Sequence, residues 1–140
     1  MNRELKFRVW DDLNKKWLFG YEYPNLGGFS MMGEVMCFGE YHRMLNSFSL
    51  DDWDKIKIMQ FTGKKDKNGR EIYEGDIVER ECVSNFSLQY RTSVERSSIV
   101  YRDKGFWVKA ESFGWEGEKL WDWDEIEVIG NIFENPELLK

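Results

Sequence analysis

His42 is the single histidine of the chain and stands in Gly39-Glu40-Tyr41-His42-Arg43-Met44. An imidazole acts as a general base only with a nucleophile or an acid within hydrogen-bond reach. No Gly-x-Ser-x-Gly and no Cys-His signature accompanies it, so His42 reads as a surface or packing residue. Zinc needs clustered soft ligands, whereas Cys37 and Cys82 lie far apart, with no Cys-x-x-Cys or His-x-x-x-His spacing. Both cysteines read as small core or surface residues of a reduced compartment. Asp122, Asp124 and Glu125 form the one carboxylate group that could hold Mg²⁺ or serve a hydrolase or nuclease. Solvated acids are the ordinary reading of such a run. Gly27-Gly28 lacks the Lys-Ser/Thr of a phosphate-binding loop and the spacing of a dinucleotide fingerprint. These residues offer no catalytic set, no metal site and no cofactor. The expectation is a protein that is not an enzyme.

The unusual chemistry lies elsewhere. Trp107, Phe113, Trp115, Trp121 and Trp123 share one stretch with Glu111, Glu116, Glu118, Asp122, Asp124 and Glu125. Nucleic-acid bases stack on aromatics, but these carboxylates would repel a phosphate backbone. Aromatics among acids suit a protein surface better, because Trp is enriched at binding hot spots. Trp107, Trp115, Trp121 and Trp123 are therefore the candidate partner-binding surface. The competing reading has each Trp filling the core of a thin barrel.

Charge is unevenly spread. Residues 111–140 hold 2 basic and 9 acidic residues, a balance of −7, whereas residues 1–110 hold 18 and 17, a balance of +1. A protein built for DNA or RNA is usually basic or carries a basic stripe. The alternative function is weak nucleic-acid binding by the hairpin loop 64–70, with Arg96 and Arg102 nearby. DNA mimicry by the acidic end is a further possibility, for which −7 is meagre.

The elements that must position these residues follow from the 140-residue, 16.8 kDa chain, which is 41% hydrophobic and 16% aromatic. That is the size of one ordinary domain. No apolar run reaches membrane-spanning length, and the first residues lack the apolar core of a signal peptide. A soluble cytoplasmic protein is expected. Leu5 to Trp10 alternates apolar and charged residues, the mark of a half-buried strand, and Trp17 to Tyr21 returns as a hairpin. Residues 22–48 read as irregular with short strands. Ser49 caps a short helix to about Lys55. Ile56 to Phe61 reads as a strand that Thr62-Gly63 ends, and Asn68-Gly69 as the tip of a tight hairpin. Glu74-Gly75-Asp76 forms a second turn into Ile77-Val78. Residues 82–95 are a loop or a ragged strand. Ser98 to Tyr101 and Phe106 to Ala110 pair through a Gly105 loop, and Ile126 to Phe133 is the last strand. The class is α+β, mainly β. It comprises a small SH3-like barrel in the C-terminal half, with an N-terminal hairpin and irregular segment packed on it. The division is 1–55 and 56–140 within one compact folding unit. Asn68, Gly69, Gly75 and Asp76 are expected to serve turns rather than ligands.

Met59-Gln60-Phe61-Thr62-Gly63-Lys64-Lys65-Asp66-Lys67-Asn68-Gly69-Arg70-Glu71-Ile72-Tyr73-Glu74-Gly75-Asp76-Ile77-Val78 resembles the central signature of the YopX family. Val128 to Leu139 resembles its C-terminal signature, and Lys6 to Asp11 its opening. Residues 21–48 and 82–125 carry no motif that aligns. The resemblance implies a small protein of bacteriophages and prophages, with a mixed, β-rich fold, acting in the bacterial host cytoplasm. It supplies no catalytic residue. The partner implied is a host or phage protein, or another copy of the chain, with no membrane and no evident small-molecule substrate.

Overall fold

The computed structural model describes residues 6–19, 27–29, 35–37, 55–86, 89–109 and 117–140. The contact pattern divides the chain into two units after Gln60. The division lies inside a strand, between Gln60 and Phe61. Among the described residues there is no α-helix, and no helix is long and apolar enough to cross a membrane. The capped helix expected at Ser49 lies outside the described residues, apart from its last residue.

In the N-terminal unit, β1 (Phe7–Asp11) pairs with β2 (Lys16–Phe19) as an antiparallel hairpin. The first half of β5 (Ile56–Lys65) flanks β1 on its other side. In the sequence between β2 and β5, β3 (Gly27–Phe29) and β4 (Val35–Cys37) form a short antiparallel ribbon. The alternation in β1 suggested one wet face. Instead Arg8 and Asp11 are as buried as Val9 and Trp10, because β1 is a central strand. The Arg8 guanidinium lies 4.9 Å from the Trp17 ring centroid and donates to Met59 Sδ at 3.6 Å. Asp11 is satisfied by the turn it starts. Its Oδ1 accepts from Leu13 and Asn14 backbone N–H, each at 3.0 Å, and its Oδ2 from Asn14 Nδ2 at 2.7 Å. Asp12 accepts from Lys15 Nζ and Trp10 Nε1, and these two hydrogen bonds hold its carboxyl below the usual carboxylate range.

The C-terminal unit is an antiparallel sheet of five strands in the order β10-β9-β8-β7-β11. Its members are β7 (Asp76–Phe86), β8 (Gln89–Arg102), β9 (Gly105–Val108), β10 (Glu118–Lys119) and β11 (Glu127–Asn131). Two short 3-10 turns, Leu120–Asp122 and Pro136–Leu139, come after β10 and after β11 respectively. The second half of β5 pairs with β6 (Glu71–Tyr73). The core joins Ile72, Val78, Ile99, Phe106, Val108, Leu120, Trp123, Ile126 and Val128. Burying one such aliphatic or aromatic side chain stabilises the fold by about 1.5–3 kcal/mol.

Turn chemistry sets the register, with several departures from the sequence reading. Thr62-Gly63 does not end β5. The strand runs on to Lys65 through an irregularity between Phe61 and Lys65, where Thr62 Oγ1 donates to the Ile72 carbonyl at 2.8 Å. Asn68-Gly69 is not a two-residue tight turn, since only Gly69 of the pair has positive φ. Asp66 organises the loop instead. Its Oδ1 accepts from the Asn68 and Arg70 N–H, both at 2.9 Å, and Asp66 and Arg70 close the loop backbone to backbone. Residues 82–86 and 89–95 are regular strand, paired from Ile77↔Ser98 out to Phe86↔Gln89. The β8–β9 turn is Asp103-Lys104, both residues in the left-handed region, and Gly105 already belongs to β9. Gly130 lies at a register shift in β11, packed so closely on the Asn135 side chain that a Cβ would stand 2.6 Å from Oδ1.

Gly75 is in the left-handed region, with φ +80, as the turn required. Its N–H donates to the Ile99 carbonyl and its carbonyl accepts from Ile132 N–H. One residue thus ties β8 to the C-terminal turn. The Pro136–Leu139 turn lies beside β8 of its own chain, with Leu138 and Leu139 half-buried.

Candidate protein-binding surface

The acidic, aromatic stretch is resolved by a period of three. The 3-10 turn Leu120–Asp122 sends Leu120, Trp123 and Ile126 into the core and leaves Trp121, Asp122, Asp124 and Glu125 exposed. Trp121 is 59% exposed. The turn beneath it is pinned from β5. Lys64 Nζ donates to the Leu120 carbonyl at 3.1 Å and to the Trp123 carbonyl, and lies 5.8 Å from the Trp121 ring centroid. A large aromatic is therefore held in solvent on a fixed backbone, with Asp122, Asp124 and Glu125 around it in sequence.

Trp123 does not belong to that surface. It is 2% exposed, covered by the Arg80 guanidinium 3.5 Å above its ring centroid, with its indole N–H donating to Glu118 at 2.6 Å. Arg80 also donates to Glu95 at 3.0 Å and reaches Glu118 at 3.4 Å. The reason is geometric: one turn of 3-10 structure puts residues 120 and 123 on the same side, away from 121. Trp107 is half-buried, and its indole donates to the Arg102 carbonyl at 2.8 Å, bracing the β8–β9 turn. Trp115 lies outside the described residues, as do Phe113, Glu111, Glu116 and His42.

The other candidates are placed as follows. Asp122, Asp124 and Glu125 face solvent, and among the described residues no group of three His, Cys, Asp or Glu converges on a metal position. Cys82 is a free thiol whose Sγ donates to Glu95 at 3.2 Å. Burial, then the Glu95 hydrogen bond, pushes its pKa up, which disfavours the nucleophilic thiolate. Of Cys37 only the backbone is described. The basic loop is engaged with acids and carbonyls. Lys67 binds Glu127 at 3.0 Å, and that hydrogen bond and charge raise its pKa. Arg96 binds Glu79 at 2.7 Å, and Arg102 binds Asp103 at 3.2 Å.

Asp66, Asp76 and Asn131 are buried polar residues within the segments that resemble the family signatures, and each has a backbone task. Asp66 Oδ2 accepts from Val128 N–H, and Asp76 Oδ2 from Tyr73 N–H at 2.8 Å. Asn131 Oδ1 accepts from Phe133 and Glu134 N–H. Of these three the sequence singled out Asp76, and in the loop it named Asn68 and Gly69. Asp66, two residues before Asn68, is the residue that holds the loop, and its position ahead of a Lys-Asn-Gly turn was the available signal.

A family model described as YopX protein matches residues 6–140. The crystal structure of protein EF1440 from Enterococcus faecalis is similar to this one, with a TM-score of 0.56 and 29% identity. The match covers 99% of this chain and 100% of that chain. No match to a curated protein is found.

Proposed function

The chain belongs to the YopX protein family, and from that premise and the geometry above we propose that it is a non-enzymatic accessory protein of phage or prophage origin that acts by binding another protein. Its setting in this reading is the bacterial host cytoplasm. The observation that carries the proposal is Trp121. A tryptophan 59% exposed on a turn pinned by Lys64 loses little conformational freedom when a partner covers it. The exposed Asp122, Asp124 and Glu125 favour a partner face that is basic around an apolar pocket for the indole. The order β11-β7-β8-β9-β10, with a 3-10 turn ahead of the last strand, supports an SH3-like reading of this unit, a scaffold that carries many binding functions. The pairing of Lys67, Arg96 and Arg102 with acids counts against phosphate contacts.

The test is affinity capture from bacterial host lysate with the wild-type chain and with Trp121→Ala, both at the same measured melting temperature. A protein retained by wild type should bind the variant about thirtyfold more weakly. Equal affinity for both chains would remove Trp121 from the contact face.

A further inference from the structure

Of the asparagines in the chain only Asn68 precedes a glycine. That pair has a chemistry of its own. The glycine amide nitrogen can attack the asparagine Cγ, because the glycine has no side chain to hinder the approach. Asn68 and Gly69 are both exposed. Among the described residues, no atom beyond its chain neighbours stands within 4 Å of the place a Cβ of Gly69 would take. Access does not limit the reaction here.

The backbone limits it. Every N–H from Asp66 to Arg70 is engaged. Asp66 donates to the Arg70 carbonyl at 2.8 Å, Lys67 to the Ile126 carbonyl at 2.9 Å and Gly69 to the Asp66 carbonyl at 3.0 Å. Asn68 and Arg70 both donate to Asp66 Oδ1 at 2.9 Å. Asp66 is 8% exposed, and its other carboxylate oxygen is held by the Val128 N–H. Attack requires the Gly69 nitrogen to shed its proton and its peptide plane to turn toward the Asn68 side chain. Both steps break the Gly69–Asp66 bond, and the turn also draws Arg70 off the carboxylate. A buried acid thus holds an exposed reactive pair in a geometry that does not react.

We propose that Asn68 is a self-modification site locked by Asp66, which converts to aspartate and isoaspartate when the Asp66 loop opens. This goes beyond the Trp121 reading and uses none of its residues. In the open loop the Gly69 nitrogen gives its proton to solvent and bonds to Asn68 Cγ. The Cγ–Nδ2 bond breaks, and Nδ2 leaves as ammonia with a proton taken from water. The product is a cyclic imide, and water adds to either of its carbonyls. Opening at Cγ gives aspartate on an unchanged main chain. Opening at the α-carbonyl gives isoaspartate, and the main chain between residues 68 and 69 gains one carbon. The lengthened loop no longer sets the Asn68 and Arg70 N–H on one oxygen, so Asp66 loses the fit that ties β11 to the loop. A local opening that would otherwise reverse becomes permanent.

The test is the rate of Asn68 conversion in full-length chains kept in mildly alkaline buffer. Peptide mapping by mass spectrometry reads the change of amide to carboxylate, and enzymatic methylation counts isoaspartate. Native wild type should convert at least about thirtyfold more slowly than the same chain in guanidinium chloride. Native Asp66→Ala should convert about tenfold faster than native wild type. Asp66→Asn keeps an acceptor oxygen and should fall between them, and it carries the comparison if circular dichroism shows Asp66→Ala unfolded. Gly75→Val weakens the same unit without removing a bond of the loop, and its rate should stay within about twofold of wild type. Amide exchange at Val128 should be faster in the isoaspartate chain than in the unconverted one. Equal rates in native and denatured wild type overturn the lock, and no conversion in the denatured chain overturns the site. Acceleration by Gly75→Val as large as by the Asp66 variants assigns control to global unfolding and also overturns the proposal. Unchanged exchange at Val128 overturns the permanent opening.

Discussion

Asp66 and Val128 are 62 residues apart in sequence, and the Asp66 Oδ2 accepts the Val128 N–H at 3.0 Å. The other oxygen of the same carboxylate holds the loop that leads out of β5. One side chain thus closes a local turn and fixes the last strand to it. Asp66→Ala leaves these N–H groups without their acceptor and should cost about 2–3 kcal/mol. Asp66→Asn retains an acceptor oxygen and should cost less. Urea unfolding of both variants measures the order, and equal losses would show that the carboxylate does not span the two segments.

Gly75 carries the second long-range tie, under a positive φ. Gly75→Val should destabilise by about 1–3 kcal/mol, because a β-branched residue is strained in that region and two backbone hydrogen bonds tie Gly75 to it. A thermal melt reads this directly. An unchanged midpoint would mean that the two backbone bonds survive in another conformation.

The Asp103-Lys104 turn offers a gain instead. Both residues occupy the left-handed region at positions where Asn-Gly is the favoured pair. The double substitution Asp103→Asn, Lys104→Gly should raise stability by about 0.5–1 kcal/mol. Loss of the exposed Arg102–Asp103 contact offsets little of it. A lower urea midpoint would contradict the strain assigned to this turn.

Lys64 and Trp121 separate stability from binding. Lys64→Met removes the donor to the Leu120 and Trp123 carbonyls and should cost about 1–2 kcal/mol. Trp121→Ala removes an exposed ring and should change stability by less than about 0.5 kcal/mol. Chemical denaturation of the two variants decides it, and a reversed order would put Trp121 in the fold rather than on its surface.

Cys82 should alkylate slowly. Its raised pKa keeps the thiol protonated as pH rises through the range where an ordinary cysteine ionises. Glu95→Gln removes the acid that accepts the thiol hydrogen bond, so the pKa falls and the rate at pH 8 rises. Iodoacetamide kinetics on a Cys37→Ser background measure it. A slower rate in the Glu95→Gln chain would reverse the assigned cause.

By itself the sequence determined the mainly β class, the N-terminal hairpin and the Glu74-Gly75-Asp76 turn. These are local matters, settled by alternation and by residues that alone tolerate particular backbone angles. Tertiary structure decided the rest. Residues 82–86 and 89–95 carry too little apolar pattern to announce strands, yet pairing with each other makes them so. Arg8 reads as a wet-face residue until β1 proves to be central and Trp17 and Met59 receive its guanidinium. Trp121 and Trp123 are equivalent in composition and near neighbours in sequence. Only the 3-10 turn, pinned by a lysine from β5, sends one into solvent and the other under Arg80, because which way a side chain points depends on contacts made by residues far along the chain.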